Sequence, residues 1–210
     1  MLLIGMFDSP FVRRVGISMK LLGLSFEHAN WSVGKDFDRI REHNPLGRVP
    51  TLVLNNGEAL MESSAILDYL DELVGPERAL LPSSGKPRRD ALKLMAIAIG
   101  AAEKGVSQVY EGAFRPPEKH HQPWVDRCKV QSAGALQELE KVRATQAADS
   151  WLMGARMMQP DITVACAFTF LADATRMDVR PYPALQALVA RCEAAPVFKE
   201  IRLPFFTPNS

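Results

Sequence analysis

The chain has 210 residues, 47% hydrophobic and 23% charged, which suits one large globular domain or two small ones. Its 25 basic and 24 acidic side chains leave a net charge of +1, so bulk electrostatics favour neither nucleic acid nor an anionic membrane as partner. No apolar run approaches the ~20 residues of a membrane span.

Residues 1–6 are an apolar run that stops before Asp8-Ser9-Pro10 and read as a buried strand. From Phe11 the apolar positions Phe11, Val12, Val15, Met19 and Leu22 recur at helical spacing, while Arg13, Arg14 and Lys20 fall off that face; Gly23 is the stop. Residues 26–31 form a second strand candidate, and residues 36–43 a short polar helix or irregular stretch. Val49-Pro50 then leads into an apolar strand at 51–54. Asn55-Asn56-Gly57 marks a turn, because Asn and Gly accept positive φ at little cost. Residues 58–61 return as a strand, and Glu62-Ser63-Ser64 opens a helix with Ile66, Leu67, Leu70 and Leu73 on one face. The order is βαβαββα.

Between residues 75 and 89, Pro76, Pro82, Ser83, Ser84, Gly85 and Pro87 cluster without periodicity, the composition of a linker. Beyond it only helices are expected, over 90–114, 124–147, 161–178, 183–193 and 196–203. Arg115-Pro116-Pro117 ends the first of them. The division is a small α/β domain over 1–76, a linker over 77–88 and an all-helical domain over 89–210. Cys128, Cys166 and Cys192 are odd in number, lack metal-ligand spacing and fall in helical segments, so they read as buried apolar thiols. Residues 1–6 are too short for a signal segment and carry no basic flank, which points to the cytoplasm.

Three elements of the first domain carry chemistry. Ser9-Pro10 follows the rules of a helix start, so the Ser9 hydroxyl either caps the helix or donates to an anion favoured by the helix dipole. A thiol placed there would ionise more readily, since cysteines at helix N-termini show pKa values lowered to roughly 3.5–7.5. Val49-Pro50 is either a structural bend or, with a cis bond, a site where the Val49 backbone pairs with an extended peptide. At Glu62-Ser63 the hydroxyl and first helical amides would take a carboxylate while Glu62 takes an ammonium group; the alternative is a plain cap.

Asp8-Ser-Pro-Phe-Val-Arg13, Asn44-Pro-Leu-Gly-Arg-Val-Pro50 and Glu62-Ser-Ser-Ala-Ile-Leu67 together resemble the cytosolic glutathione S-transferases, in particular their bacterial branch with serine at the start of the first helix. The resemblance spans nearly the whole chain. It implies a thioredoxin-like first domain followed by an all-α bundle. It further implies that Ser9 hydrogen-bonds the glutathione sulfur and favours its thiolate. Val49, before a cis Pro50, would pair with the cysteinyl unit; Glu62 and Ser63 would hold the γ-glutamyl end; Arg48 would meet the glycyl carboxylate. Glutathione would be a co-substrate and no metal would be needed. The electrophile would be small and hydrophobic, between the domains, against Phe11, Tyr110, Phe114 and Arg115. A homodimer is implied as well. Two other readings stay open: a binding or regulatory protein on the same fold, and a glutathione-dependent isomerase or dehalogenase. One local departure concerns Met158-Gln-Pro-Asp161, where methionine stands in for the usual capping hydroxyl and Asp161 could itself be the N-cap.

Overall fold

Four short strands and eight α-helices make up residues 1–207, the part of the chain that the computed structural model describes. Strands β1 (Leu2–Ile4), β2 (Glu27–Ala29), β3 (Thr51–Val53) and β4 (Ala59–Met61) lie in the order β2-β1-β3-β4. β1 runs parallel to β2 and antiparallel to β3, and β3 pairs antiparallel with β4. Leu3 sits opposite Leu52 across the central pair, and both side chains are fully buried. Helices α1 (Pro10–Leu21) and α3 (Ser63–Val74) pack on each other and on the strands, and α2 (Phe37–Arg41) is one short turn beside them. The βαβαββα order is therefore present, with strands one to three residues shorter than the expected segments.

Helices α4 (Gly85–Phe114), α5 (Gln122–Ala144), α6 (Gln159–Thr175), α7 (Pro183–Ala194) and α8 (Pro196–Glu200) complete the chain, with a 3-10 turn at Pro117–Lys119. Several helix boundaries differ from expectation, among them those of α5, by two to three residues at each end. α4 begins at Gly85 rather than 90, so residues 85–88 of the expected linker are helical. Ser84 is its N-cap and Pro87 lies in its first turn, where a proline removes no helical hydrogen bond. α6 begins at Gln159, which makes Met158 the N-cap and places Asp161 at the third helical position rather than at the cap. The Asp161 carboxylate instead accepts the backbone N–H of Met158 (2.9 Å) and of Leu152 (2.8 Å). α8 stops at Glu200, and residues 202–207 continue without helix.

α6 is the hub. Ile162, Val164, Ala165, Cys166 and Leu171 are buried, and the helix packs on both α4 and α1. Its close approach to α4 is made at Gly105, where a Cβ would lie 2.7 Å from Leu171 Cδ2 and 2.9 Å from Phe170 Cε1. The α1 residues Arg13 and Arg14, which fall off the apolar stripe, are nevertheless buried because α1 is enclosed on a second side. Arg13 grips Glu193 of α7 through Nη1 and Nη2 at 2.7 Å each, and donates to the carbonyls of Phe198 and Ile201 at 3.2 and 3.1 Å. The three cysteines are buried and unbridged. Among the described residues no helix is long and apolar enough to cross a membrane.

Candidate active site

A cavity of about 600 Å³ opens where the start of α1, the loop before β3 and the C-terminal part of α4 meet. Ser9 lies on its wall as the N-cap of α1, with φ −68° and ψ 126°. Its Oγ accepts the Val12 N–H at 3.4 Å, a long cap bond, and the hydroxyl proton is left to donate elsewhere. Gly5 makes this proximity possible. At φ +127° a Cβ there would come within 2.6 Å of Val12 and 2.7 Å of Val49, so only glycine lets the end of β1, α1 and residue 49 converge.

Val49–Pro50 is a cis peptide bond. The loop ahead of it is organised by the buried Asn44, whose Nδ2 donates to Arg48 O (2.8 Å) and Thr51 Oγ1 (3.1 Å) while its Oδ1 accepts the Leu46 N–H (3.0 Å). Val49 N–H and C=O make no hydrogen bond among the described residues, and the residue lines the cavity. An extended ligand could pair with both groups.

Glu62 is the N-cap of α3 at φ +71°, a conformation that costs a non-glycine residue roughly 1–3 kcal/mol. Its carbonyl accepts the Ile66 N–H at 3.0 Å, the first bond of the helix. Its carboxylate lies 3.8 Å from Arg48 Nη1, both side chains being more than half exposed, so the pair is held loosely. Ser63 is buried, and its Oγ accepts from Arg14 Nη2 at 2.8 Å.

Thus Ser9, Arg48 and Val49 share one cavity wall, and Glu62 and Ser63 stand at the neighbouring start of α3, joined to it through Arg48. Phe11, Tyr110 and Phe114 also line the cavity, and Tyr110 meets Phe114 edge-on at 4.8 Å between ring centroids. Arg115 does not belong with them. Its guanidinium turns to Glu111 (3.3 Å), and its neighbours are His120, His121 and Trp124 in a separate surface depression. The helix ends at Phe114 with Arg115 extended (φ −111°, ψ 141°), which carries the side chain away from the cavity. His120 Nε2 contacts Arg115 O at 2.9 Å, and among the described residues no group of three or more His, Cys, Asp or Glu is placed to hold a metal ion.

Several contributors escape a sequence-level reading. Trp31 and Phe37 reach the cavity from the loop before α2 and from α2 itself, and Phe170 from α6. Phe205 and Phe206 arrive from the stretch after α8, Phe205 packing edge-on against Phe170 at 5.8 Å. The Phe206 N–H donates to Asp8 Oδ2 at 3.1 Å. Burial raises the pKa of Asp8 above the usual carboxylate range even though this N–H favours the charged form. The adjacent Phe205 and Phe206 were the available signal, since paired aromatics outside any expected helix need a surface to cover.

The mixed sheet with α1 and α3, followed by the helical bundle, defines a thioredoxin-like domain joined to an all-α domain, with a candidate thiol site at the first helix. The family model described as glutathione S-transferase, N-terminal domain, matches residues 3–78, and the one described as glutathione S-transferase, C-terminal domain, matches residues 106–196. The chain belongs to the glutathione S-transferase family. It is 30% identical over 171 residues to an uncharacterized GST-like protein of Escherichia coli K12, YibF, covering 81% of this chain and 82% of that one. A glutathione S-transferase of Methylobacterium radiotolerans in complex with glutathione sulfonate superposes with a TM-score of 0.88 at 28% identity, over 98% of this chain and 95% of that one. A glutathione transferase family member of Pseudomonas fluorescens Pf-5 with bound glutathione gives a TM-score of 0.84 at 30% identity, over 97% and 99%.

Proposed function

We propose that this chain is a glutathione transferase that binds glutathione, stabilises its thiolate and joins it to a small hydrophobic electrophile. The observation that carries the reading is Ser9: a hydroxyl with its proton uncommitted, at the positive end of a 12-residue helix, on the wall of a largely aromatic cavity. Glutathione and glutathione sulfonate bound in relatives of the same fold support the choice of thiol. On this reading the Val49 backbone pairs with the cysteinyl unit, and Glu62 and Ser63 take the ammonium and carboxylate of the γ-glutamyl end. Arg48 reaches the glycyl carboxylate once released from its loose contact with Glu62. The thiol proton leaves to solvent, and Ser9 donates to the sulfur anion. That anion attacks the electrophilic carbon held against Phe11, Tyr110 and Phe114. The carbon–sulfur bond forms as the leaving group departs with its electron pair. The protein contributes thiolate stabilisation and proximity rather than a covalent intermediate.

The reading carries with it a twofold dimer working in the cytoplasm. It is tested by retention on immobilised glutathione together with turnover of a chlorinated dinitrobenzene. Both are expected. Retention without turnover of any electrophile would favour a binding or regulatory protein, and the absence of both retention and turnover would overturn the proposal.

A further inference from the structure

Asp8 is the one acidic side chain among the described residues that line the cavity, and Arg48 is the one basic side chain. Asp8 directly precedes Ser9, so its carboxylate shares the cavity with the sulfur anion of the proposed reaction. Like charges held together oppose each other, and this acid works against the thiolate unless a cation joins them. The fold supplies none. Arg13 is matched by Glu193 and Arg202 by Asp173, Arg48 leans on Glu62, and Lys35 lies over the Phe206 ring at 5.7 Å. Asp8 itself forms no ion pair among the described residues; its partners are backbone N–H groups, chiefly that of Phe206 at 3.1 Å. A neutral amide oxygen would accept the same bonds, so the charge is not needed to hold the chain. A partly buried carboxylate without a counter-ion is costly, and burial pushes the Asp8 carboxyl up accordingly.

The walls around this charge are aromatic: Phe11, Tyr110, Phe114, Phe170, Phe205 and Phe206. Ring faces are negative and attract cations, and quaternary ammonium groups are recognised in such surroundings. Burial raises the Tyr110 phenol, the Arg48 charge acting against this and the Asp8 charge with it, so the ring lies within electrostatic reach of both. Glutathione bound as proposed occupies Arg48 with its glycyl carboxylate and brings a sulfur anion. The space left for the second substrate then combines negative charge with π faces.

We propose that the electrophile of this protein is an organic cation: a hydrophobic skeleton bearing a quaternary or protonated amine, seated among the rings with its positive group at Asp8. The inference rests on the glutathione reading of the site and narrows its second substrate. Asp8 is then a specificity-determining residue, because a neutral electrophile of the same shape gains nothing from its charge.

The test measures kcat/KM of the full chain, at saturating glutathione, for 4-(trimethylammonio)benzyl chloride and 4-tert-butylbenzyl chloride, which match in shape and differ in charge. Each gives its benzylic carbon to the glutathione sulfur and releases chloride. Dividing each value by the uncatalysed rate with glutathione at the same pH removes the difference in intrinsic reactivity. The corrected cation-to-neutral ratio is expected to be about one or higher in the wild-type protein and to fall by about 10-fold or more in Asp8→Asn, which keeps an acceptor for the Phe206 N–H but loses the charge. Should Asp8→Asn not fold, Asp8→Ser carries the same comparison. A ratio that a folded variant leaves within about twofold means that Asp8 acts on the sulfur or on the fold alone, and overturns the inference while leaving the glutathione reading intact. So does a wild-type protein that turns over the neutral chloride and rejects the cation. A wild-type protein that turns over neither chloride and is not retained on immobilised glutathione overturns both.

Discussion

Replacing Ser9 with alanine separates the two things that its hydroxyl can do. As a cap it accepts one amide at 3.4 Å, and Pro10 next to it has no N–H to lose. Cap removal costs ~0.5–2 kcal/mol, and so long a bond belongs at the low end, about 0.5 kcal/mol. In a chain of this size that lowers the melting temperature by only about 1–2 °C. As a donor to a sulfur anion it resembles a single oxyanion-hole donor, whose removal costs about 10²–10³ in rate, or ~2.7–4 kcal/mol. Since one pKa unit corresponds to 1.36 kcal/mol, the bound thiol should then titrate roughly two units higher. The assay is the ultraviolet absorbance of the thiolate in the Ser9→Ala complex across pH, set beside kcat/KM over the same range and the glutathione Kd. Both inflections should move upward together while the Kd changes by less than about fivefold. If turnover falls but the thiolate inflection stays put, or if affinity and turnover fall equally, Ser9 is a cap and a contact, and the thiolate argument is wrong.

Glu193 offers a pH test of the clamp between α1 and α7. Burial pushes its pKa up, but the Arg13 fork and Thr169 outweigh this and hold it below the usual glutamate range. A lowered folded-state pKa means that the stability it confers is present above the unfolded value and lost as pH falls through the folded one. Acid unfolding of the wild-type protein should therefore steepen below about pH 4.3. Glu193→Gln should flatten that limb and cost roughly 2–4 kcal/mol at neutral pH, because buried Arg13 loses its counter-ion, as denaturant titrations at several pH values would show. Gly105→Ala drives a methyl into Leu171 and Phe170 at under 3 Å and should destabilise by roughly 1–3 kcal/mol, despite the better helix propensity of alanine. A rise in melting temperature would show that α4 and α6 separate more easily than their packing suggests.

The alternation of apolar runs and turn signals made the first domain readable because each element there ends on its own punctuation: Gly23, Asn55-Asn56-Gly57 and the serines at 63 and 64. The serine, Val-Pro and Glu-Ser elements were readable for the same reason, being tied to helix and strand starts. What stayed hidden depends on neighbours distant in sequence. Nothing local distinguishes Arg14 from a solvated helix arginine; α3 and α6, distant in sequence, close over α1 and bury it. Prolines and serines at 82–87 read as linker although they also suit a helix start, and tertiary contact decides between the two. The aromatic wall from residues 205 and 206 required knowing that the stretch after α8 returns to Asp8. Arg115 failed for the opposite reason, since one residue past a helix end the backbone direction changes and adjacency to Phe114 no longer means a shared face.

Each cysteine of this chain is walled off from solvent, and burial drives the Cys166 thiol up to about 12 and Cys192 further in the same direction. At neutral pH these sulfurs stay protonated and are poor nucleophiles. In the proposed reaction the sulfur consumed would arrive with the tripeptide and depart with the product, and the protein's own thiols would be spared alkylation.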